Sequence, residues 1–346
     1  MKNSGTYPVS ELVVHQGPHF DELAGLWLIR ENGEHKFPGA KMARIVTRAE
    51  SGPVDFNAML AAGKLYIGTG GGPFDEHKPG GRMKDECCAT LVAKYLGLNQ
   101  GLDDRRFRRI IEGVLVADTV TGPASTRPVN NQWVMLAGLV KRINRYSAMA
   151  LDIERLYQWV KVALDADLAQ QDEYLAAEKL VRSRVRVPVC GKTVVVGGDI
   201  SNLQFVSAAR NMPTVQAAVV IQQNPKGNIQ IFGCPEVPMR EIAHTVRVAE
   251  WHAMGNKQRI PADPKSEGTL PMVPQWYFEG DNLMNGSESY PDVPMTRLSL
   301  QQVLDIVVDE IKESRKVRKP AKLAMHVLPA ASPETVAAAH AEQAVG

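Results

Sequence analysis

The sequence predicts an α/β protein with an N-terminal doubly wound parallel sheet and a second, smaller α/β or α+β domain. The first observation is an alternation of short apolar, β-branched runs with segments of helical period. These runs predict strands at 11–15, 41–47 and 64–68, and helices at 20–31 and 55–62 lie between them. The second observation is the length of 346 residues, which is enough for two domains.

The chain divides into four predicted parts. We expect a first domain over 1–147, a helical connector over 148–186, a smaller C-terminal domain over 187–314 and a weakly ordered tail over 315–346. The connector is predicted from an amphipathic segment with apolar residues near helical period. The tail is predicted from a charge run followed by Ala-rich sequence, a composition that buries little apolar surface.

The remaining elements follow from periodicity and from turn residues. Helices are predicted at 85–97, 103–117, 129–146, 149–182, 202–210, 238–254 and 299–314. Strands are predicted at 192–197, 217–222 and 228–232. The turn over 224–227 (NPKG) favours a hairpin between the last two strands. The segment 256–274 contains four prolines and is predicted to be loop-rich.

Composition excludes several classes of protein. Hydrophobic content of 44% and charged content of 23% are typical of a soluble globular protein. The net charge of +2 gives no strong general attraction to nucleic acid. The four cysteines form no C-x-x-C pair, which disfavours a thiolate zinc site and a disulfide framework. Without an apolar signal core or a run of about 20 apolar residues, we expect a cytoplasmic protein with no membrane span.

One stretch of the chain, VVHQGPHFDE over 13–22, concentrates side chains that can bind metals. His15, His19, Asp21 and Glu22 all lie in or beside the turn between the first strand and the first helix. Open α/β sheets bind ligands beyond the carboxyl ends of their strands, which is where this turn is predicted to lie. The alternative is a surface turn with two ordinary histidines and an aspartate at a helix N-cap.

A second cluster follows the third predicted strand. A Gly-rich segment over 68–72 leads into Asp75, Glu76 and His77, and Asp118 follows a later apolar stretch. The Gly-rich segment lacks the P-loop spacing, so we interpret it as a loop that brings Asp75 to the site. Imidazole and carboxylate together suit Mn²⁺, Zn²⁺ or Fe²⁺, and carboxylate-rich sites also take Mg²⁺. Two such ions would serve phosphoester hydrolysis, because they polarise a phosphoryl oxygen and help to ionise a water.

A basic cluster lies on the helix predicted at 103–117. It contains Arg105, Arg106, Arg108 and Arg109. We take Arg105 and Arg109 as candidate substrate-binding residues, because guanidinium groups contact the phosphates of nucleotides and nucleic acids. The alternative is a solvated helix face beside the acidic residues at 103 and 104.

These motifs resemble a known family. The segment HQGPHFDE at 15–22 resembles, with slightly different spacing, the first motif of the Myg family (melanocyte-proliferating-gene proteins), which is His-x-Gly-x-x-His-x-Asp-Glu. The segment IGTGG at 67–71, followed by FDEH at 74–77, resembles that family's glycine-containing strand end and its Phe-Asp-His-His motif. The Myg family belongs with the DHH phosphoesterases, which include RecJ-type exonucleases and manganese pyrophosphatases. The resemblance is clearest over 11–120.

The resemblance implies a two-lobed hydrolase with a DHH-like metal-binding domain at its N-terminus. It implies hydrolysis of phosphodiesters in nucleotides or single-stranded nucleic acid, with 3′–5′ exonuclease action in the Myg branch. By position, the implied metal ligands are His15, His19, Asp21, Glu76 and Asp118, and the implied catalytic residues are Asp75 and His77. His77 matches the motif's last histidine, which faces the substrate phosphate.

Two positions depart from the family pattern. Glu76 replaces the first histidine of the DHH motif, and a carboxylate there shifts the preference toward Mg²⁺ or Mn²⁺. Gly68 stands where the family has a bridging aspartate, so one ion, two ions or none are all open. The leading hypothesis is a metal-dependent phosphodiesterase. The alternatives are a degenerate DHH-like module that binds a nucleotide or a protein partner, and a zinc-type hydrolase acting on a non-phosphate substrate. The oligomeric state stays open.

Overall fold

The fold is mixed α/β and comprises two compact units, Met1–Ala176 and Ala177–Gly346. The computed structural model describes residues 5–49, 52–78, 80–98, 105–119, 131–146, 152–286 and 292–318. In these ranges the first unit contains a three-stranded parallel sheet and a two-stranded hairpin, and the second contains a seven-stranded mixed sheet. The domain boundaries at 147, 186 and 314 stay a prediction.

The parallel sheet confirms the first three predicted strands. The elements are β1 (Glu11–His15), α1 (Phe20–Asn32), β2 (Arg44–Arg48), α2 (Phe56–Ala61) and β3 (Lys64–Tyr66). The strand order is β2-β1-β3 and both pairings are parallel. The chain therefore winds from β1 to one side and then crosses to the other side for β3. Such a reversal of winding creates a crevice beyond the carboxyl ends of the central strands, where α/β proteins bind ligands.

Helix α1 forms the centre of the first unit's core. It is apolar on nearly all sides and buried along most of its length, with Leu23, Leu26 and Trp27 fully buried. The indole Nε1 of Trp27 donates to Asp165 Oδ1 at 2.8 Å, and Arg30 forms an ion pair with Glu154 at 2.6 Å. Because α1 is fixed by packing and by polar contacts, the turn that precedes it is held on a rigid support.

The rest of the first unit is largely helical. Its elements are β4 (His77–Lys78), β5 (Gly81–Arg82), α3 (Cys88–Leu96), α4 (Arg105–Thr119), α5 (Asn131–Tyr146) and the larger part of α6 (Ile153–Arg182), which continues past Ala176 into the second unit. Helix α3 begins three residues later than the prediction at 85 because Asp85 adopts a left-handed φ of 58°. Gly97 ends α3 as its C-terminal cap in the left-handed conformation, which a glycine adopts without a steric cost.

The second unit contains the larger sheet. Its elements are β6 (Val185–Val189), β7 (Lys192–Gly197), α7 (Phe205–Asn211), β8 (Val219–Gln223), β9 (Ile229–Gly233), α8 (Met239–Ala253), β10 (Gly268–Leu270), β11 (Val273–Glu279), β12 (Asn282–Met284) and α9 (Leu300–Arg318). The strand order is β10-β11-β12-β9-β8-β7-β6. Strands β7 and β8 pair in parallel, and the other neighbours pair antiparallel, including the predicted hairpin of β8 and β9.

The strand predictions for the C-terminal half were incomplete. The second sheet has seven strands against three in the parallel sheet of the first unit, and the smaller size of the second domain stays a prediction. Four strands escaped prediction because β6, β10, β11 and β12 are short or carry a proline. They pair antiparallel with strands next to them in the chain, and β12 also pairs with the more distant β9. Residues 315–318 continue α9, whereas the rest of the predicted tail lies outside the described residues. None of the described helices combines the length and apolar character that a membrane crossing requires.

Candidate metal centre

A pocket of about 290 Å³ lies beyond the carboxyl ends of β1, β2 and β3. This is the crevice where the winding direction of the sheet reverses. Most of the predicted site residues line it, namely His15, His19, Asp21, Asp75, Glu76 and His77. The fold therefore brings together the two sequence clusters, which are about 60 residues apart, because parallel strands present their carboxyl ends at one edge.

The first half of the pocket is built on the turn between β1 and α1. His15 Nδ1 lies 2.6 Å from Glu22 Oε1, and the backbone N–H of His19 donates to Glu22 Oε2 at 2.7 Å. The second contact belongs to a capping box at the start of α1, with His19 as N-cap. His15, His19 and Glu22 each place a ligand atom within 4.8 Å of the others. Glu22 was missing from the predicted ligands, although a glutamate three residues after the N-cap signals this geometry.

Burial and hydrogen bonding shift the pKa values of the side chains in the turn between β1 and α1. Burial raises the pKa of Glu22 to about 7, and the hydrogen bond to Glu22 raises the pKa of His15. The 2.6 Å contact and the raised pKa of both groups favour a proton held between His15 and Glu22 in the metal-free site. Burial lowers the pKa of His19, which keeps that imidazole neutral. A neutral imidazole has a free lone pair and is a metal ligand.

Gly68 lies directly against the Glu22 side chain. A Cβ atom at position 68 would lie 2.4 Å from Glu22 Cγ and 2.8 Å from its Oε1, and the φ of Gly68 is +66°. The family resemblance implied a missing carboxylate at this position. The structure places the Glu22 carboxylate beside that position, so the absence of an acid at 68 leaves no gap in the pocket.

The second half of the pocket follows β3 and contains two buried carboxylates. Asp75 Oδ1 accepts from the backbone N–H of His77 at 2.9 Å, and Asp75 Oδ2 accepts from that of Gly71 at 2.8 Å. His77 Nδ1 lies 3.4 Å from Glu76 Oε1, and the His77 side chain is 64% exposed. The Gly-rich segment therefore holds Asp75 in place through backbone contacts, as expected, while His77 stands at the open side.

Glu76 carries a buried oxygen that lacks a partner within the described chain. The residue is 4% exposed, and no described group forms a hydrogen bond with its Oε2. Burial raises the pKa of Glu76, and the neighbouring Asp21 acts in the same direction. Buried polar atoms in native proteins are almost always paired, and each exception calls for an explanation. A cation bound in the pocket would supply the missing partner.

Asp118 lies close to the pocket but is already paired. Its carboxylate forms an ion pair with Arg82, whose guanidinium also lies 3.6 Å from Glu76 Oε1. Asp118, Asp21 and Cys87 place ligand atoms within 4.8 Å of one another. Burial raises the pKa of the Cys87 thiol to about 12, so this sulfur is protonated at neutral pH. Asp118 does not line the pocket, and its role as a ligand stays a prediction.

The predicted substrate-binding arginines lie elsewhere on the first unit. Arg105 and Arg109 are on α4 and do not line the pocket. Burial raises the pKa of Asp167, and the nearby positive charge of Arg109 offsets part of this increase. Their binding role stays a prediction. Arg48, which no sequence pattern indicated, lines the pocket.

Comparisons with known proteins give little guidance. No family model matches the chain, and no curated protein matches it. Among solved structures, an uncharacterized protein from Helicobacter pylori aligns at 8% identity and a TM-score of 0.27, covering 88% of this chain and 99% of the other. RecJ in complex with Mg²⁺ from Thermus thermophilus aligns at 12% identity and a TM-score of 0.26, covering 88% of this chain and 50% of RecJ. Likenesses this low carry no inference about function.

Proposed function

We propose that the chain is a divalent-metal-dependent phosphoesterase whose metal centre is the pocket at the switch point of the parallel sheet. The observation that carries the proposal is the buried Glu76 Oε2, which lacks a partner among the described residues. It lies in a pocket that also collects three imidazoles and three further carboxylates, those of His15, His19, His77, Asp21, Glu22 and Asp75. This set of nitrogen and oxygen donors fits Mn²⁺ or Mg²⁺ better than a soft metal, because the carboxylates outnumber the imidazoles.

The substrate we propose is a phosphodiester in a nucleotide or a single-stranded nucleic acid. Divalent ions held by these residues would polarise the phosphoryl group and lower the pKa of a water. His77 stands at the open side of the pocket, beside Asp75 and Glu76, where its ring N–H would donate to a phosphoryl oxygen. The most specific form of the proposal is 3′–5′ exonuclease action, and it rests on the resemblance to the Myg family.

The second candidate is a module that binds a nucleotide or a protein partner without cleavage. The ion pair between Asp118 and Arg82 favours it, because an expected ligand is then already neutralised. In this case the pocket would hold one ion or none, and turnover would be absent.

The test is a metal-dependent hydrolysis assay. The protein is stripped with a chelator, dialysed, supplied with Mn²⁺ or Mg²⁺, and assayed with bis-p-nitrophenyl phosphate and with single-stranded oligonucleotides. We expect turnover that needs the metal and falls by about a hundredfold in His19→Ala and Asp75→Asn. His35→Ala is the matched control, because His35 is an exposed histidine of the same unit.

Elemental analysis of the same samples separates the outcomes. Bound metal with no turnover of any phosphodiester would support the non-catalytic module. If the samples contain no bound metal and show no turnover, the phosphoesterase proposal is wrong, and only the metal-free form of the binding module stands.

A further inference from the structure

Arg48 is the last residue of β2 and lines the metal pocket. The residue is half-buried, and sequence patterns did not single it out. We infer that the Arg48 guanidinium binds the phosphoryl anion of the substrate in this pocket. The inference deepens the proposed function and rests on it.

The position of Arg48 is set by the parallel ladder of β1 and β2. Arg48 is in register with His15, and the backbone N–H of Gln16 donates to the carbonyl oxygen of Arg48 at 2.7 Å. Residues in register on neighbouring strands direct their side chains to the same face of the sheet. The Arg48 side chain therefore starts on the same face as His15, at the strand end where the pocket opens.

The guanidinium is supported from two sides. Its Cζ lies 5.8 Å from the centroid of the Tyr66 ring on β3. A Cβ atom at Gly70 would lie 3.0 Å from that ring and 3.5 Å from Arg48 Nη1, and Gly70 has a φ of +79°. The Gly-rich loop thus packs against both side chains because position 70 has no Cβ atom. A side chain that is already restricted loses less entropy when it binds a ligand.

Charge explains why an arginine is needed here. The pocket lining includes four carboxylates, those of Asp21, Glu22, Asp75 and Glu76. Among its lining residues in the described chain, Arg48 supplies the sole guanidinium or ammonium group. Metal ions held by the acids would neutralise one side of an entering phosphoryl anion. The planar fork of an arginine matches two phosphoryl oxygens, so Arg48 is suited to the other side.

The experiment titrates the Mn²⁺-loaded protein with inorganic phosphate and measures binding by calorimetry. We expect Arg48→Gln to weaken phosphate binding by about tenfold or more. The phosphate affinity of Arg48→Lys should lie between those of the wild type and Arg48→Gln. The KM for bis-p-nitrophenyl phosphate should rise in parallel. Mn²⁺ affinity should not fall, because a guanidinium is not a metal ligand and its positive charge opposes cation binding in the same pocket. Retained Mn²⁺ affinity also reports that the variant is folded.

Arg44→Gln is the matched control, since Arg44 is an exposed arginine on the same strand, paired with Glu11. It should leave phosphate binding, KM and Mn²⁺ affinity unchanged. Arg109→Gln tests the competing site on α4. A loss of phosphate binding in Arg109→Gln with none in Arg48→Gln would overturn the inference, as would a wild-type protein that binds no phosphate.

The two proposals fail in different ways. If the protein binds Mn²⁺, and phosphate through Arg48, but cleaves no phosphodiester, the proposed function is wrong and the anion site stands. If hydrolysis is metal-dependent and Arg48→Gln keeps the wild-type KM and phosphate affinity, the proposed function stands and the role of Arg48 is wrong.

Discussion

The Glu22 side chain fills the space into which a side chain at Gly68 would project. A Cβ atom at position 68 would lie 2.4 Å from Glu22 Cγ, and Gly68 has a φ of +66°. The start of α1 and the loop after β3 are therefore in direct contact at the candidate metal centre. A glutamate at 22 requires a glycine at 68, and the carboxylate at this point comes from the helix.

This fit predicts a specific cost for Gly68→Ala. The left-handed backbone costs about 1–2 kcal/mol for a residue with a Cβ atom. Overlap with Glu22 adds about 1–3 kcal/mol. Gly97→Ala is the control, because Gly97 has a φ of +75° with no atom of the described chain within 4 Å of its Cβ position. Urea unfolding should show a larger loss for Gly68→Ala, and adding Glu22→Ala should recover the difference. Equal losses in the two single variants would contradict the packing.

Glu76→Gln should separate stability from metal binding. Burial raises the pKa of Glu76, so the metal-free fold disfavours its charged form. The amide should therefore raise the midpoint of thermal unfolding in chelator while lowering Mn²⁺ affinity by about tenfold or more. The control is Glu112→Gln, because Glu112 is an exposed acid on α4. It should change neither the midpoint of thermal unfolding nor the Mn²⁺ affinity. A variant that loses stability and keeps its Mn²⁺ affinity would give Glu76 a structural role instead.

The metal-free protein should lose stability as the pH rises from about 5 to about 8. The pKa of Glu22 is about 7 in the fold against the ordinary 4.5, so the folded state holds a proton that the unfolded state has released. The raised pKa of His15 acts in the same direction, with stability lost as the pH rises through its folded pKa. We expect a decrease of about 1–3 kcal/mol from these groups.

Glu22→Gln should flatten this dependence in urea unfolding followed across the pH range. Glu112→Gln should keep the wild-type slope. A wild-type slope in Glu22→Gln would show that Glu22 ionises normally in the fold.

Mn²⁺ affinity should rise over the same range of pH. The ion competes with the proton shared by His15 and Glu22, so binding releases protons and becomes tighter as the pH increases. Calorimetry in two buffers of different ionisation enthalpy counts the protons released. A pH-independent affinity without proton release would exclude this pair from the ligand set.

The four cysteines should react in two classes. Cys87 and Cys88 are buried, and burial raises the pKa of both thiols, that of Cys87 to about 12. Cys190 and Cys234 are half-buried. Ellman's reagent should therefore modify Cys190 and Cys234 in the native protein, and the other two only after denaturation. Native modification of Cys87 that Mn²⁺ prevents would instead place this thiol in the metal centre.

Local sequence signals were sufficient for much of the first unit. The apolar runs that end at His15 and near Tyr66 predicted the neighbouring strands β1 and β3. The polar residues that follow each run predicted a cluster of polar side chains at the ends of these strands. Strands β10 and β12 were missed because each has three residues, too few to show an alternating pattern, and β12 also pairs with β9, about 50 residues earlier in the chain. Glu22 was named among the side chains that can bind metals but was not included in the implied ligands. A glutamate that caps a helix has the same sequence pattern whether or not its carboxylate lines a pocket.

The sequence by itself determined the residue types at the strand ends, the parallel sheet and the choice of nitrogen and oxygen donors. These follow from short-range patterns of hydrophobicity and turn residues. Only the tertiary structure decided that Glu22 lies against Gly68, that Asp118 pairs with Arg82 and that Arg48 lines the pocket beyond the strand ends. Each of these depends on the distance between elements far apart in the chain. Such distances are set by the packing of the whole unit, which periodicity does not encode.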